Sequence, residues 1–106
     1  AIKGFDKLNI DINSWANKNN WTLINKYHFG GYARFNDELI DFIKIFYKDH
    51  NIPLDLIYTS KMIYGLHDLI KNNKIPSKSS VLLVHTGGLQ GNIGMNDIYN
   101  LNLPVM

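Results

Sequence analysis

The 106 residues amount to 12.2 kDa with 45% hydrophobic side chains, enough for one compact core and too apolar for a chain that stays unfolded. The formal charge is +2, and ten of the eleven cations are Lys, so forked phosphate recognition falls to Arg34 alone and a nucleic-acid partner is disfavoured. No apolar run approaches the roughly 20 residues of a membrane span, and with no Cys there are no disulfides, thiolate nucleophiles or sulfur-ligated zinc sites, in keeping with a soluble, cytoplasmic chain.

Residues 6–19 place Leu8, Ile12, Trp15 and Ala16 along one stripe, which predicts an amphipathic helix closed by Asn19 and Asn20. Trp21-Thr-Leu-Ile24 is short, aromatic and β-branched, and suits a strand. Gly30 and Gly31 then make a turn that holds Tyr32. Asn36 is a candidate N-cap, followed by Asp37 and Glu38 in a first turn, with Leu39, Ile43, Phe46 and Tyr47 opposite a polar stripe. After Pro53, residues 60–71 form a further helix whose inward stripe is Met62, Ile63, Leu66, Leu69 and Ile70, so Tyr58 and Thr59 stand at its entrance. Val81-Leu-Leu-Val84 shows no polar alternation and predicts a fully buried strand, with His85 and Thr86 at its carboxyl end. Gly87-Gly88-Leu89-Gln90-Gly91 reads as a tight turn opening a last helical or irregular stretch before Pro104. The pattern is α/β, with fewer strands than a buried sheet needs, so residues 1–106 read as a single domain that looks incomplete, and the family resemblance given below is the main ground for expecting a fragment of a longer polypeptide.

Chemistry is sparse along this frame. His28, His50, His67 and His85 are widely separated and predict no metal site, and the acidic residues fall mostly on predicted solvent faces, which gives a two-carboxylate mechanism no support. Ser60 lacks a nucleophile-elbow context, and Lys61 at a helix start reads as a solvent-facing lysine rather than a desolvated nucleophile. The backbone N–H groups of Thr86-Gly87-Gly88, at the end of a buried strand, could face a ligand, or the glycines could serve only the sharp connection. Tyr32 and Tyr58 pack or, where a pocket gathers them, exchange protons.

Taken together, Phe29-Gly-Gly-Tyr32, then Ile52-Pro-Leu-Asp-Leu-Ile-Tyr-Thr-Ser-Lys-Met62, then Val84-His-Thr-Gly-Gly-Leu-Gln-Gly91 resemble in order and spacing the carboxyl-terminal part of the aminocyclopropane-carboxylate deaminase and D-cysteine desulfhydrase family. The resemblance implies a fold-type II, tryptophan-synthase-β-like pyridoxal-phosphate enzyme, of which this chain supplies a carboxyl-terminal portion of the large domain, a partial three-layer α/β sandwich. It implies that Tyr32 and Tyr58 meet the reactive face of the cofactor and a small amino-acid substrate as catalytic groups. Thr59 and Thr86 approach the pyridine nitrogen, and Gly87, Gly88 and Leu89 line the ring's edge. In the family, deaminases of the cyclopropane substrate carry Glu after the tyrosine and desulfhydrase-like members carry Thr. Tyr58-Thr59 therefore implies α,β-elimination from D-cysteine or a similar small amino acid, giving pyruvate, ammonia and sulfide. Ser60 departs from the usual Gly of that segment, and the stretch after Gly91 matches poorly.

The family's cofactor-bearing lysine and principal phosphate loop have no match here, and Lys61 does not occupy the lysine's motif. The expected partner is accordingly a missing amino-terminal part of the enzyme, within a homo-oligomer, and the isolated chain is expected to be inactive. The alternatives are an aminocyclopropane-carboxylate deaminase and a non-enzymatic interaction fragment that buries strand edges in a partner.

Overall fold

The computed structural model describes Ser14, Lys18 and residues 22–106. The helix expected over residues 6–19 lies outside the described residues apart from Ser14 and Lys18, as does Trp21. The described elements are three helices, α1 (Asp37–His50), α2 (Thr59–Lys71) and α3 (Gln90–Tyr99), joined by irregular segments.

Helix α1 starts where the sequence places it. Asn36 is extended, and its side-chain oxygen accepts the Leu39 N–H at 2.9 Å, satisfying one of the helix's unpaired donors, while Asp37 and Glu38 favour the positive end of the dipole. At the other end Asn51 adopts the left-handed conformation and donates its N–H to the Tyr47 carbonyl at 2.8 Å. Helix α2 begins one residue earlier than expected and has no cap from the preceding Tyr58 side chain. It ends on Asn72 and Asn73, with the Lys74 N–H returning to the Leu69 carbonyl at 2.9 Å.

The core forms where α1 meets the segment before α2, α3 and the chain's last residues. Leu39, Ile40 and Ile43 pack with Leu56, Met95 and Leu103, and Phe29, Phe35, Tyr64 and Leu101 cover the cluster. Phe42 of α1 sets its ring edge-to-face against Tyr64 and His67 of α2, at 5.3 and 5.4 Å between centroids, which fixes the two helices against each other. Asn92 of α3 is fully buried and works as a backbone surrogate. Its Oδ1 accepts the Leu56 N–H, and its Nδ2 donates to the carbonyls of Leu54 and Pro104, all at 2.9 Å. One turn later Asn96 pairs in the same way with both backbone groups of Leu103.

The strand expectations are not met among the described residues. Residues 22–24 and 81–84 are irregular, and Val81, Leu82, Leu83 and Val84 are 40 to 90% exposed rather than buried. A strand exists only in a ladder, and an apolar run signals what its surroundings should be without supplying them. The three-layer sandwich is therefore not formed within the described residues. Ile24 and Leu83, one from each expected strand, nevertheless face the same apolar cavity of about 550 Å³, beside Met62, Leu66 and Leu69 of α2. In that helix Ile63 is buried as expected, while Ile70 is half exposed.

Candidate active site

Two turns and the start of α2 build the site. The first turn runs from His28 to Arg34. The Gly31 N–H donates to the His28 carbonyl and the Arg34 N–H to the Gly31 carbonyl, both at 3.1 Å, and Gly30 also donates to His28 Nδ1 at 3.0 Å. Lys61 ties this turn to α2, its ammonium donating to the His28 carbonyl at 2.8 Å and the Gly31 carbonyl at 3.0 Å. Lys61 is thus half-buried rather than solvent-facing; desolvation moves its pKa below the usual lysine value, opposed in part by the charge of Asp55. Because each of these carbonyls holds an N–H, the amine stays a donor and is engaged at the turn.

The tether brings the two sequence-selected tyrosines together. The rings of Tyr32 and Tyr58 lie 6.1 Å apart between centroids, tilted by 58°, and both are exposed. They border a cavity of about 760 Å³, shared with Lys26, His28, Gly31 and Lys61, and none of its lining side chains is a carboxylate. Desolvation, then the neighbouring Tyr32 phenol and the Asp55 charge, raise the pKa of Tyr58 above the ordinary tyrosine value, so the phenol remains a proton donor through neutral pH.

Beneath Tyr58 lies a carboxylate that composition and pattern did not single out. Asp55 is 1% exposed and accepts four hydrogen bonds. Its Oδ2 takes the N–H groups of Ile57 (2.9 Å) and Tyr58 (2.8 Å), and its Oδ1 takes the N–H (2.8 Å) and the hydroxyl (2.5 Å) of Thr59. The Thr59 oxygen in turn accepts the Asp55 N–H at 2.8 Å. This carboxylate is the cap that α2 lacks at Tyr58 itself, since it satisfies the donors at the helix's entrance. Thr59, which the resemblance placed near the pyridine nitrogen, is 2% exposed with its hydroxyl committed both as donor and as acceptor to Asp55.

The second turn reaches the site from the far side. His85 is clamped between the Pro53 carbonyl, 2.9 Å from Nε2, and the Gly87 N–H, which donates to Nδ1 at 3.0 Å, an arrangement that suits the neutral ring protonated on Nε2. Gly88, with φ of +95°, rests against Asp55: a Cβ there would stand 3.1 Å from the carboxyl carbon. Thr86 is exposed, while Gly87, Gly88 and Leu89 are partly buried, and none of the four lines the tyrosine cavity. The structure thus joins Tyr32 to Tyr58 and Thr59 to Gly88 through Asp55, and leaves Thr86, Gly87 and Leu89 outside the cavity. Among the described residues no three His, Asp or Glu side chains gather as a metal site would need, and no helix is long and apolar enough to cross a membrane.

Over about two thirds of its length the chain is similar to proteins named aminocyclopropane-carboxylate deaminase and D-cysteine desulfhydrase, the family its motifs resemble. It is 35% identical over 71 residues to a protein named "Putative 1-aminocyclopropane-1-carboxylate deaminase" of Pyrococcus furiosus, covering 67% of this chain and 21% of that one. It is 42% identical over 65 residues to the protein of that name in Pyrococcus abyssi, 61% of this chain and 19% of that one. A D-cysteine desulfhydrase of Yersinia pestis (strain Pestoides F) is 39% identical over 67 residues, 63% of this chain and 20% of its own. The chain spans about a fifth of the length of these curated relatives. No family model matches the chain, and no solved structure does.

Proposed function

We propose that this chain is the tyrosine-bearing, carboxyl-terminal part of a pyridoxal-phosphate-dependent enzyme of small amino acids, with desulfhydrase-like rather than cyclopropane-deaminase chemistry. The observation that carries the reading is the meeting of Tyr32 and Tyr58 over one cavity, in a chain 35–42% identical to proteins bearing those two names. The cavity suits such a group in size and chemistry. It can admit a pyridine ring and an amino acid, and its lining offers two phenols and two ammonium groups with no carboxylate to repel a phosphate or a substrate carboxylate. The cofactor, when bound, supplies the electron sink for the carbanion.

Tyr58, kept protonated by its surroundings, is the group placed to hold or deliver a proton at its phenol oxygen, and Tyr32 orients the bound molecule across the cavity. Lys61 keeps the Tyr32 turn in register with α2 and stays bound to two carbonyls, so the covalent lysine belongs to another part of the enzyme. The reaction favoured is the elimination in which D-cysteine and water give pyruvate, ammonia and hydrogen sulfide, the Cα proton leaving as the Cβ–S bond breaks. Thr at position 59 supports this choice over the cyclopropane reaction, because the tyrosine-threonine pair follows the desulfhydrase-like pattern.

The test is a substrate comparison on the longer polypeptide that carries this segment. Sulfide and pyruvate released from D-cysteine in preference to 2-oxobutyrate from the cyclopropane substrate support the reading. The reverse preference, or no turnover of either by a cofactor-loaded protein, overturns it.

A further inference from the structure

We propose that Asp55 is the positioning residue of the tyrosine pair: through the backbone of residues 57–59 and the hydroxyl of Thr59 it holds Tyr58 opposite Tyr32. The role rests on the tyrosine site described above and extends it to a residue with no access to the cavity.

A buried carboxylate is costly unless its lone pairs are filled, and here four donors fill them: two backbone N–H groups on one oxygen, one N–H and one hydroxyl on the other. Three consecutive amides, those of Ile57, Tyr58 and Thr59, converge on one carboxylate, so the direction in which the Tyr58 Cα–Cβ bond leaves the backbone is set by Asp55. The Thr59 hydroxyl closes a ring by bonding both the carboxylate and the main-chain N–H of the same residue. Gly88 abuts the carboxyl carbon from the opposite turn, and His85 holds the Pro53 carbonyl two residues before Asp55. The carboxylate is thus wedged between the helix entrance and the glycine turn.

Asp55→Asn keeps the shape but turns one oxygen into an NH2 donor. Whichever way the amide is placed, that donor meets at least one N–H that previously had an acceptor. Thr59→Val removes the hydroxyl at nearly constant volume, and Thr59→Ser restores it.

The experiment uses the 106-residue chain in solution, following amide hydrogen exchange at positions 57–59 and the nuclear Overhauser contact between the Tyr32 and Tyr58 rings. In Asp55→Asn, exchange at the three amides should rise roughly 10- to 100-fold, as loss of a charge-assisted hydrogen bond implies, and the ring contact should vanish while the α1 amides keep their protection. Thr59→Val should lose the ring contact and Thr59→Ser should keep it. An Asp55→Asn chain with α1 intact and the ring contact unchanged overturns the proposal. Where Asp55→Asn fails to fold, Thr59→Val decides: a retained ring contact overturns the proposal and a lost one, rescued by Ser, supports it.

These readouts need no cofactor, so they stand or fall separately from the enzymatic reading. In the longer enzyme, positioning also predicts non-additivity. Asp55→Asn should lower kcat with KM changed less than about threefold, and adding Tyr58→Phe should lower kcat no further. Multiplying losses in the double variant overturn the assignment, because a merely structural Asp55 would act independently of the phenol.

Discussion

One peptide bond separates Tyr58, 61% exposed, from Thr59, 2% exposed, and that contrast is the local logic of the site. In the proposed function the exposed residue meets the ligand, and the buried one anchors the backbone that aims it. Tyr58→Phe keeps the packing and removes the phenol, so in the cofactor-loaded enzyme kcat should fall by roughly 10²–10⁴-fold with cofactor occupancy unchanged. An unchanged single-turnover rate would remove Tyr58 from the proton-transfer role. Tyr32→Phe removes one of the influences that raise the Tyr58 pKa, so the phenol should then titrate at lower pH than in the parent chain, as an ultraviolet absorbance titration measures. The tyrosines were singled out by the family resemblance of their segments, one after paired glycines and the other at a helix entrance. Asp55 was not. Leu54-Asp55-Leu56 reads as an acid between two core residues in a loop, and nothing in the pattern says that three following amides fold back upon it. Lys61 was misread for a related reason, since its partners are carbonyls 30 or more residues away.

The helices were the most legible elements, because caps and apolar stripes are local signals, as Asn36 and the Leu39–Ile43 pair show. How they face each other depends on longer-range polar tips. Tyr64 of α2 donates to Glu38 of α1 at 2.6 Å, and this hydrogen bond, followed by desolvation and the charges of Glu38 and Asp68, pushes its pKa up to about 12. The folded pKa exceeds the unfolded value of 10.0, so the contribution is complete below pH 10 and is lost as the pH rises towards about 12. Denaturant titrations should show stability falling across that window, and Tyr64→Phe should flatten the fall while lowering stability near neutral pH by about 0.5–1 kcal/mol. Gly65, one residue on, lets Tyr27 lie against α2. A Cβ there would stand 2.8 Å from the Tyr27 ring, which is anchored through its hydroxyl to Asp68 at 2.6 Å. Gly65→Ala should therefore destabilise by about 1–3 kcal/mol despite Ala being the better helix former, a sign that thermal denaturation reads directly.

At the scale of the whole molecule, the sequence patterns and the described structure diverge at the strands, and the divergence has a physical cause. Apolar residues 81–84 carry the signature of a strand covered on both faces, yet they are exposed, and no partner strand stands beside them among the described residues. A helix closes its hydrogen bonds within one segment; a sheet needs others, so local sequence foretold the helices and left the apolar runs without a ladder among the described residues. The same exposed run predicts self-association of the isolated chain, with sedimentation coefficients that rise with concentration. A concentration-independent monomer that binds no apolar dye would contradict that expectation.

The central claim, that this chain carries the phenols of a pyridoxal-phosphate site and not its lysine, is tested most directly by borohydride trapping followed by peptide mapping, on the 106-residue chain and on the proposed longer polypeptide. The account predicts no stoichiometric adduct on the chain alone and a single adduct in the longer polypeptide, on a lysine outside these 106 residues. A stoichiometric adduct on Lys61, or a longer polypeptide that takes up no cofactor at all, would contradict it.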